Sequence, residues 1–180
     1  DGEQYTNTLD VSSHPIGEVF SLTWLITNSG QTSWTPSVEM DIPTGWYGEC
    51  DNIVELDPSE SVTITCNIII SESEIGGTQK TVSIIVSTEN KEVSNSVSLV
   101  VEQLNKLSWE NIEVPTLKQG EEVIVVIDVT NIGNTNFSAR IDLDKTESWQ
   151  VAIQDSNFVV LDPGESRILR LGITPNTADG

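Results

Sequence analysis

Thr27-Asn28-Ser29-Gly30 recurs 103 positions further on as Thr130-Asn131-Ile132-Gly133, and the residues around the two stretches recur with them. Before the first lie Phe20, Leu22, Trp24 and Ile26 at alternate positions; before the second, at the same offset, lie Val123, Val125, Ile127 and Val129. A period of two marks a half-buried strand, so two separate stretches predict the same element in the same register. Asn and Gly tolerate positive φ, which suits a tight turn at the end of each strand.

The match continues downstream. Trp34, Val38 and Met40 correspond to Phe137, Ile141 and Leu143, predicting a second alternating strand in each copy. Trp46 and Trp149 each stand 18 residues after their turn asparagine. A large ring at that fixed place reads as a core or edge anchor, with stacking on a sugar as the alternative for Trp46 and its neighbour Tyr47. Leu56-Asp57-Pro58-Ser59-Glu60-Ser61 and Leu161-Asp162-Pro163-Gly164-Glu165-Ser166 are proline-fixed corners. Past them Ile64, Cys66 and Ile68 alternate, matched at an offset of 105 by Leu169, Leu171 and Ile173.

The first copy ends with a loop at residues 71–79 and two strands at 81–87 and 96–101, joined by the polar residues 88–95. Residues 5–11 read as a short first strand. His14, the sole histidine, falls in a turn before Pro15 and reads as an exposed loop residue. Residues 104–106 form a short junction without a proline or serine tract, and Trp109, Ile112 and Val114 open the second copy. The expected division is a domain over 1–103 and another over 104–180, each all-β, with no helical periodicity between turn signals. Some seven short strands per unit predict two tandem immunoglobulin-like β-sandwiches. The second should be incomplete within this segment, because Gly180 aligns with Ile75, ahead of the last two strands of the first. That predicts an apolar face built by Val125, Ile127, Leu169 and Leu171 left open, and closed either by further residues of the chain or by strand exchange with a neighbouring subunit.

With 28 acidic and 8 basic residues the formal net charge is -20, which repels phosphate backbones and anionic headgroups; nucleic acid and membrane surfaces are poor partners. No apolar run is long enough to span a bilayer. Cys50 and Cys66 lack the CxxC or CxxH context of a metal site. Both fall on inward positions, and Ile153 and Leu171 replace them in the second copy, so a structural disulfide is expected, and with it an oxidising, extracellular setting.

The run strand-Thr-Asn-Xaa-Gly, then Pro43-Thr44-Gly45-Trp46, then Leu-Asp-Pro-(Ser/Gly)-Glu-Ser resembles the α-galactosidase-associated and CARDB-like immunoglobulin-fold modules of bacterial and archaeal surface proteins. The resemblance covers residues 17–101 and 120–174; the second unit departs from it with Thr146-Glu147-Ser148 before its tryptophan. It implies a spacer, adhesive or accessory domain and no catalytic residues.

No GxSxG, HExxH, GxGxxG or Walker stretch is present, and solvated carboxylates do not make an acid–base pair, so no enzyme is expected. The expected function is a non-catalytic structural or adhesive repeat of a cell-surface assembly such as an S-layer, stalk or filament, its partners other subunits or neighbouring domains. The alternative is an accessory carbohydrate- or protein-binding module using Trp46 and Tyr47. No cofactor is expected beyond calcium, for which Asp128, Asp142 and Asp144 are the weak candidates on outward faces. Asn136-Phe137-Ser138 is the one glycosylation sequon, making Asn136 a modification candidate.

Overall fold

The computed structural model describes residues 13–89, 91–110, 112, 115–144 and 149–176. All elements among them are strands. The first strand expected at residues 5–11, and Val114 and residues 146–148, lie outside the described residues. Two compact units are present, Asp1–Glu102 and Gln103–Gly180.

In unit 1 the strands are β1 (Ser13–His14), β2 (Val19–Thr27), β3 (Ser37–Asp41), β4 (Tyr47–Cys50), β5 (Ser61–Ile69), β6 (Gln79–Ser87) and β7 (Glu92–Val101). They form one sheet in the order β1-β7-β6-β3 and another in the order β2-β5-β4. β1 runs parallel to β7, and the remaining pairs are antiparallel. The inward residues of β2 and β5 (Leu22, Ile64, Cys66, Ile68) meet those of β6 and β7 (Val82, Ile84, Leu99, Val101) in a continuous apolar filling. Burying a side chain such as Ile68 contributes about 2–3 kcal/mol. β7 starts four residues before the expected position, shortening the turn to residues 88–91. Val93 extends the inward alternation, and Asn95 accepts a hydrogen bond from Trp24 Nε1 at 3.3 Å. His14 lies in β1 instead of a free loop, its ring stacked on Phe20 at 4.0 Å.

Unit 2 comprises β8 (Leu107–Trp109), β9 (Val123–Asn131), β10 (Phe137–Arg140), β11 (Trp149–Ile153), β12 (Phe158–Leu161) and β13 (Ser166–Pro175). Its sheets are β11-β13-β9-β8 and the pair β10-β12. Val129, Val159, Leu161 and Leu169 close a small core, with Leu107, Ile127, Phe137 and Ile141 packed against it. The expected open face is therefore only partly open: Leu169 is 4% exposed, packed with residues of β10 and β12, and Val125 is 3% exposed. β10 also stops before Ile141 and Leu143, which were expected inside it. Its counterpart β3 is held in strand form by β6, and no described residues of unit 2 play that part.

The recurring turn is the joint of each unit. Asn28 is fully buried, and its Nδ2 donates to Thr32 O and Leu56 O, both at 2.9 Å, while its Oδ1 accepts Gly30 N–H at 2.9 Å. Asn131, equally buried, donates to Thr135 O (2.8 Å) and Leu161 O (3.0 Å) and accepts Gly133 N–H (3.0 Å). The Asp-Pro corners lock onto the same asparagines. Asn28 N–H donates to Glu60 O and Ser59 N–H to Asn28 O; Asn131 N–H donates to Glu165 O and Gly164 N–H to Asn131 O. Each corner is clamped by its own glutamate, which accepts the Asp57 or Asp162 N–H at 2.8 and 2.9 Å.

Both corners need a left-handed residue after the proline. Gly164 supplies it at φ 79°, whereas unit 1 uses Ser59 at φ 69°. Ser59→Gly should accordingly raise the stability of unit 1 by about 0.5–1 kcal/mol, the left-handed penalty less the extra unfolded-state freedom of glycine. Asn28→Ala and Asn131→Ala each remove two hydrogen bonds to carbonyls and one from an N–H at a buried place and should each cost about 3 kcal/mol. Urea unfolding checks both statements, and a loss below about 1 kcal/mol for either alanine would show that water replaces the asparagine.

Candidate functional site

Cys50 and Cys66 are bonded to each other, directly opposite in the β4–β5 register. Ile153 and Leu171 stand opposite each other at the same place in β11–β13. One unit joins these adjacent strands covalently and the other by apolar contact. Closing a loop of this size contributes about 3 kcal/mol in the chain-entropy account.

Trp46 is turned into the core of unit 1. It is 7% exposed, packed with Leu22, Ile68, Val82 and Val101, and its Nε1 donates to Glu74 Oε1 at 3.1 Å, with Lys80 Nζ 3.4 Å from the other oxygen of that carboxylate. The reason is phase: Trp46 shares the inward side with Gly48 and Cys50, so the ring enters the core. Tyr47 points the other way and is exposed, its hydroxyl donating to Glu49 Oε2 at 3.0 Å. The two rings thus sit on opposite faces and make no joint platform.

The three aspartates suggested for calcium are not brought together. Asp128 lies on β9 opposite Ile168, and Asp142 follows β10 beside Arg140, 3.5 Å from its Nε. Asp144 lies two residues further on, in no strand. No group of three or more His, Cys, Asp or Glu side chains among the described residues could hold a metal ion. Asn136 is exposed just ahead of β10, where a glycan has room.

A concavity lies elsewhere, at the end of unit 1 where the Asn28 turn meets the turn between β6 and β7. It encloses about 760 Å³, lined by Thr32, Ser33, Trp34 and Thr35 from one side and by Glu89 and Lys91 from the other. Sequence reading passed over it because both walls look like plain polar turns. The available signal was Trp34, an aromatic residue placed between a turn and a strand.

No family model matches the chain, and no curated protein matches it. Among solved structures it is similar to a Porphyromonas gingivalis protein of unknown function (13% identity, 95% of this chain and 82% of that one, TM-score 0.37). It is also similar to the secreted serine protease VesC of Vibrio cholerae (13%, 93% and 46%, 0.38) and to the CupB2 chaperone of Pseudomonas aeruginosa (11%, 93% and 98%, 0.35). Likenesses this distant assign neither family nor activity. No described helix is long and apolar enough to cross a membrane, and the disulfide fits an oxidising compartment.

Glu49 raises the pKa of Tyr47, first by accepting its hydrogen bond and then by its negative charge, both of which favour the neutral phenol. Glu49→Gln should move the Tyr47 titration down towards the ordinary tyrosine value. Absorbance at alkaline pH reads it, with Tyr5, the other tyrosine of the chain, as internal reference; an unmoved curve would show that the Tyr47–Glu49 contact does not persist in solution.

Proposed function

We propose that this chain is a non-catalytic tandem immunoglobulin-like repeat of an extracellular surface assembly, a load-bearing or adhesive segment of the α-galactosidase-associated and CARDB-like kind. What carries the reading is the use made of the recurring polar residues. Asn28 and Asn131 serve the turn, Glu60 and Glu165 clamp the corner, and Thr27–Ser61 and Thr130–Ser166 bridge adjacent strands. Residues repeated in both units serve the fold of each unit, as a spacer requires and a binding site does not. Its partners are neighbouring subunits or domains of the same surface protein.

The disulfide then limits how far unit 1 extends under load. Pulling single molecules should give an unfolding step for unit 1 that lengthens by about 5–6 nm once reductant frees the residues between Cys50 and Cys66, at roughly 3.6 Å per residue. Surface labelling of intact cells of the source supplies the location. Recovery of the protein only from the cytosol with both thiols free would overturn the assignment.

A second reading, an accessory carbohydrate- or protein-binding module, is favoured by the cavity beside Trp34. A glycan array separates the two: a saturable signal abolished by Trp34→Ala would select the binding module.

A further inference from the structure

β9 and β13 pair in unit 2 as β2 and β5 do in unit 1, and the side chains they turn away from the core fall in rows: Asp128 beside Ile168, then Val126 beside Arg170, then Ile124 beside Gly172. Val126, Ile168 and Ile124 are 55%, 49% and 45% exposed. At the offsets of 103 and 105 the same positions of unit 1 hold Thr23, Thr63 and Ser21, exposed as well. Unit 1 has both its sheets in place and still leaves this face open, so the exposure does not depend on what packs against the inward face. Nor does the fold require apolar residues here, since hydroxyls serve unit 1. Neighbouring apolar side chains held out to water without a folding role mark a contact surface.

The four residues of the first two rows form a square, with its charges on one diagonal, Asp128 and Arg170, and its apolar side chains on the other, Val126 and Ile168. Such a square is its own complement. A two-fold axis lying in the interface along the apolar diagonal sets Val126 and Ile168 each against the same residue of a second copy, and Asp128 against the partner's Arg170. With strands about 4.8 Å apart and alternate residues about 6.8 Å apart, the strands of the two sheets then cross at about 70°, near the orthogonal class of sheet packing. Arg170 meets Asp155 through Nη1 at 3.4 Å with half of its side chain exposed, so its guanidinium fork can take a second carboxylate. Unit 2 also holds six of the eight basic residues, all three arginines among them, and two copies approach here against less repulsion than at unit 1.

We propose that the outward face of β9 and β13 is a symmetric contact between two copies of this chain, with Val126 and Ile168 at its centre, Ile124 extending the apolar strip and two Asp128–Arg170 pairs fixing the register. The occupant is a second copy because the pattern is self-complementary; an unrelated apolar partner would have no use for one acid and one base placed symmetrically about the apolar pair. The pairing stands apart from the surface role proposed above, which a monomer would serve as well.

Sedimentation velocity of the 180-residue chain over a concentration series tests it, at about 0.15 M salt, where a Debye length of about 8 Å screens the net charge of each copy. A monomer–dimer equilibrium is expected. Substituting the residues of unit 1, Val126→Thr with Ile168→Thr, should weaken it at least tenfold without lowering the melting temperature. Asp128→Arg and Arg170→Asp should each leave a monomer, repelled at both charge pairs, and mixing the two variants should return a one-to-one heterodimer in which opposite charges face each other again. The threonine pair decides even if Arg170→Asp, set beside Asp155, folds badly. A monomer up to the solubility limit overturns the proposal, and so does a dimer that tolerates all four substitutions, which would lie on another surface. Folded charge variants that fail to associate on mixing overturn it likewise, since the two-fold arrangement requires them to.

Discussion

A buried carboxamide with every partner inside the protein holds each unit together. Asn28 and Asn131 satisfy two carbonyls and one N–H at a place where the chain leaves one strand, passes over the end of the sheet and meets the Asp-Pro corner. An amide buried without partners costs several kcal/mol, so the arrangement is stable only when the turn, the following segment and the corner are all in place. The surrounding sequence follows from this. Gly133 has no room for a Cβ, which would overlap Leu104 O, and Leu104 is itself held there by Asn134 through hydrogen bonds of 2.7 and 3.0 Å. In unit 1 a Cβ on Gly30 would meet only the Asn28 carboxamide oxygen, at 3.1 Å. The same turn therefore tolerates different crowding while the asparagine stays fixed in its role.

Much of this was legible because duplication supplies an internal control. The alternation at Phe20-Leu22-Trp24-Ile26 gave the register of β2, and its copy gave that of β9. The shift of offset from 103 to 105 between tryptophan and corner predicted that Ile153 and Leu171 meet as Cys50 and Cys66 do, and their pairing in register is what the fold contains. Trp46 was harder to place. Aromatic residues serve cores and ligands alike, and only the phase it shares with Cys50 puts it inside. The β6–β7 turn was drawn too long because Asn95 looks like a loop residue until Trp24 offers it an indole N–H. The cavity at Trp34 is formed by turns far apart in the chain, so no local pattern announces it.

Residues 141–144 show where sequence pattern stops deciding structure. Val38-Glu39-Met40-Asp41 and Ile141-Asp142-Leu143-Asp144 carry the same information, but one is a strand and the other is not. Strand propensity is a preference for a pleated, half-buried surface, and it is realised only when a neighbour provides the other half of the ladder. Met40 has Ile84 beside it. The partner, a separate stretch of chain, decides the outcome.

The acidic charge of the chain is distributed by the same logic. The strands β2, β5 and β6 carry no Asp or Glu, and hydroxyl pairs such as Thr27–Ser61 and Ser83–Ser96, at 2.8 and 2.9 Å, lie on their outward faces. Carboxylates placed opposite one another there would repel across about 5 Å. Acids appear on the edge strands β3 (Glu39, Asp41) and β4 (Glu49), once each on the interior strands β7 (Glu92) and β9 (Asp128), and in the corners, where Glu60 and Glu165 are anchored by backbone N–H groups. An edge that bears outward carboxylates discourages pairing with its own kind, the commonest hazard of an unpaired strand. Asp142 and Asp144 place the same charge on residues 141–144, which belong to no strand, so that a like segment set against them would meet carboxylate with carboxylate.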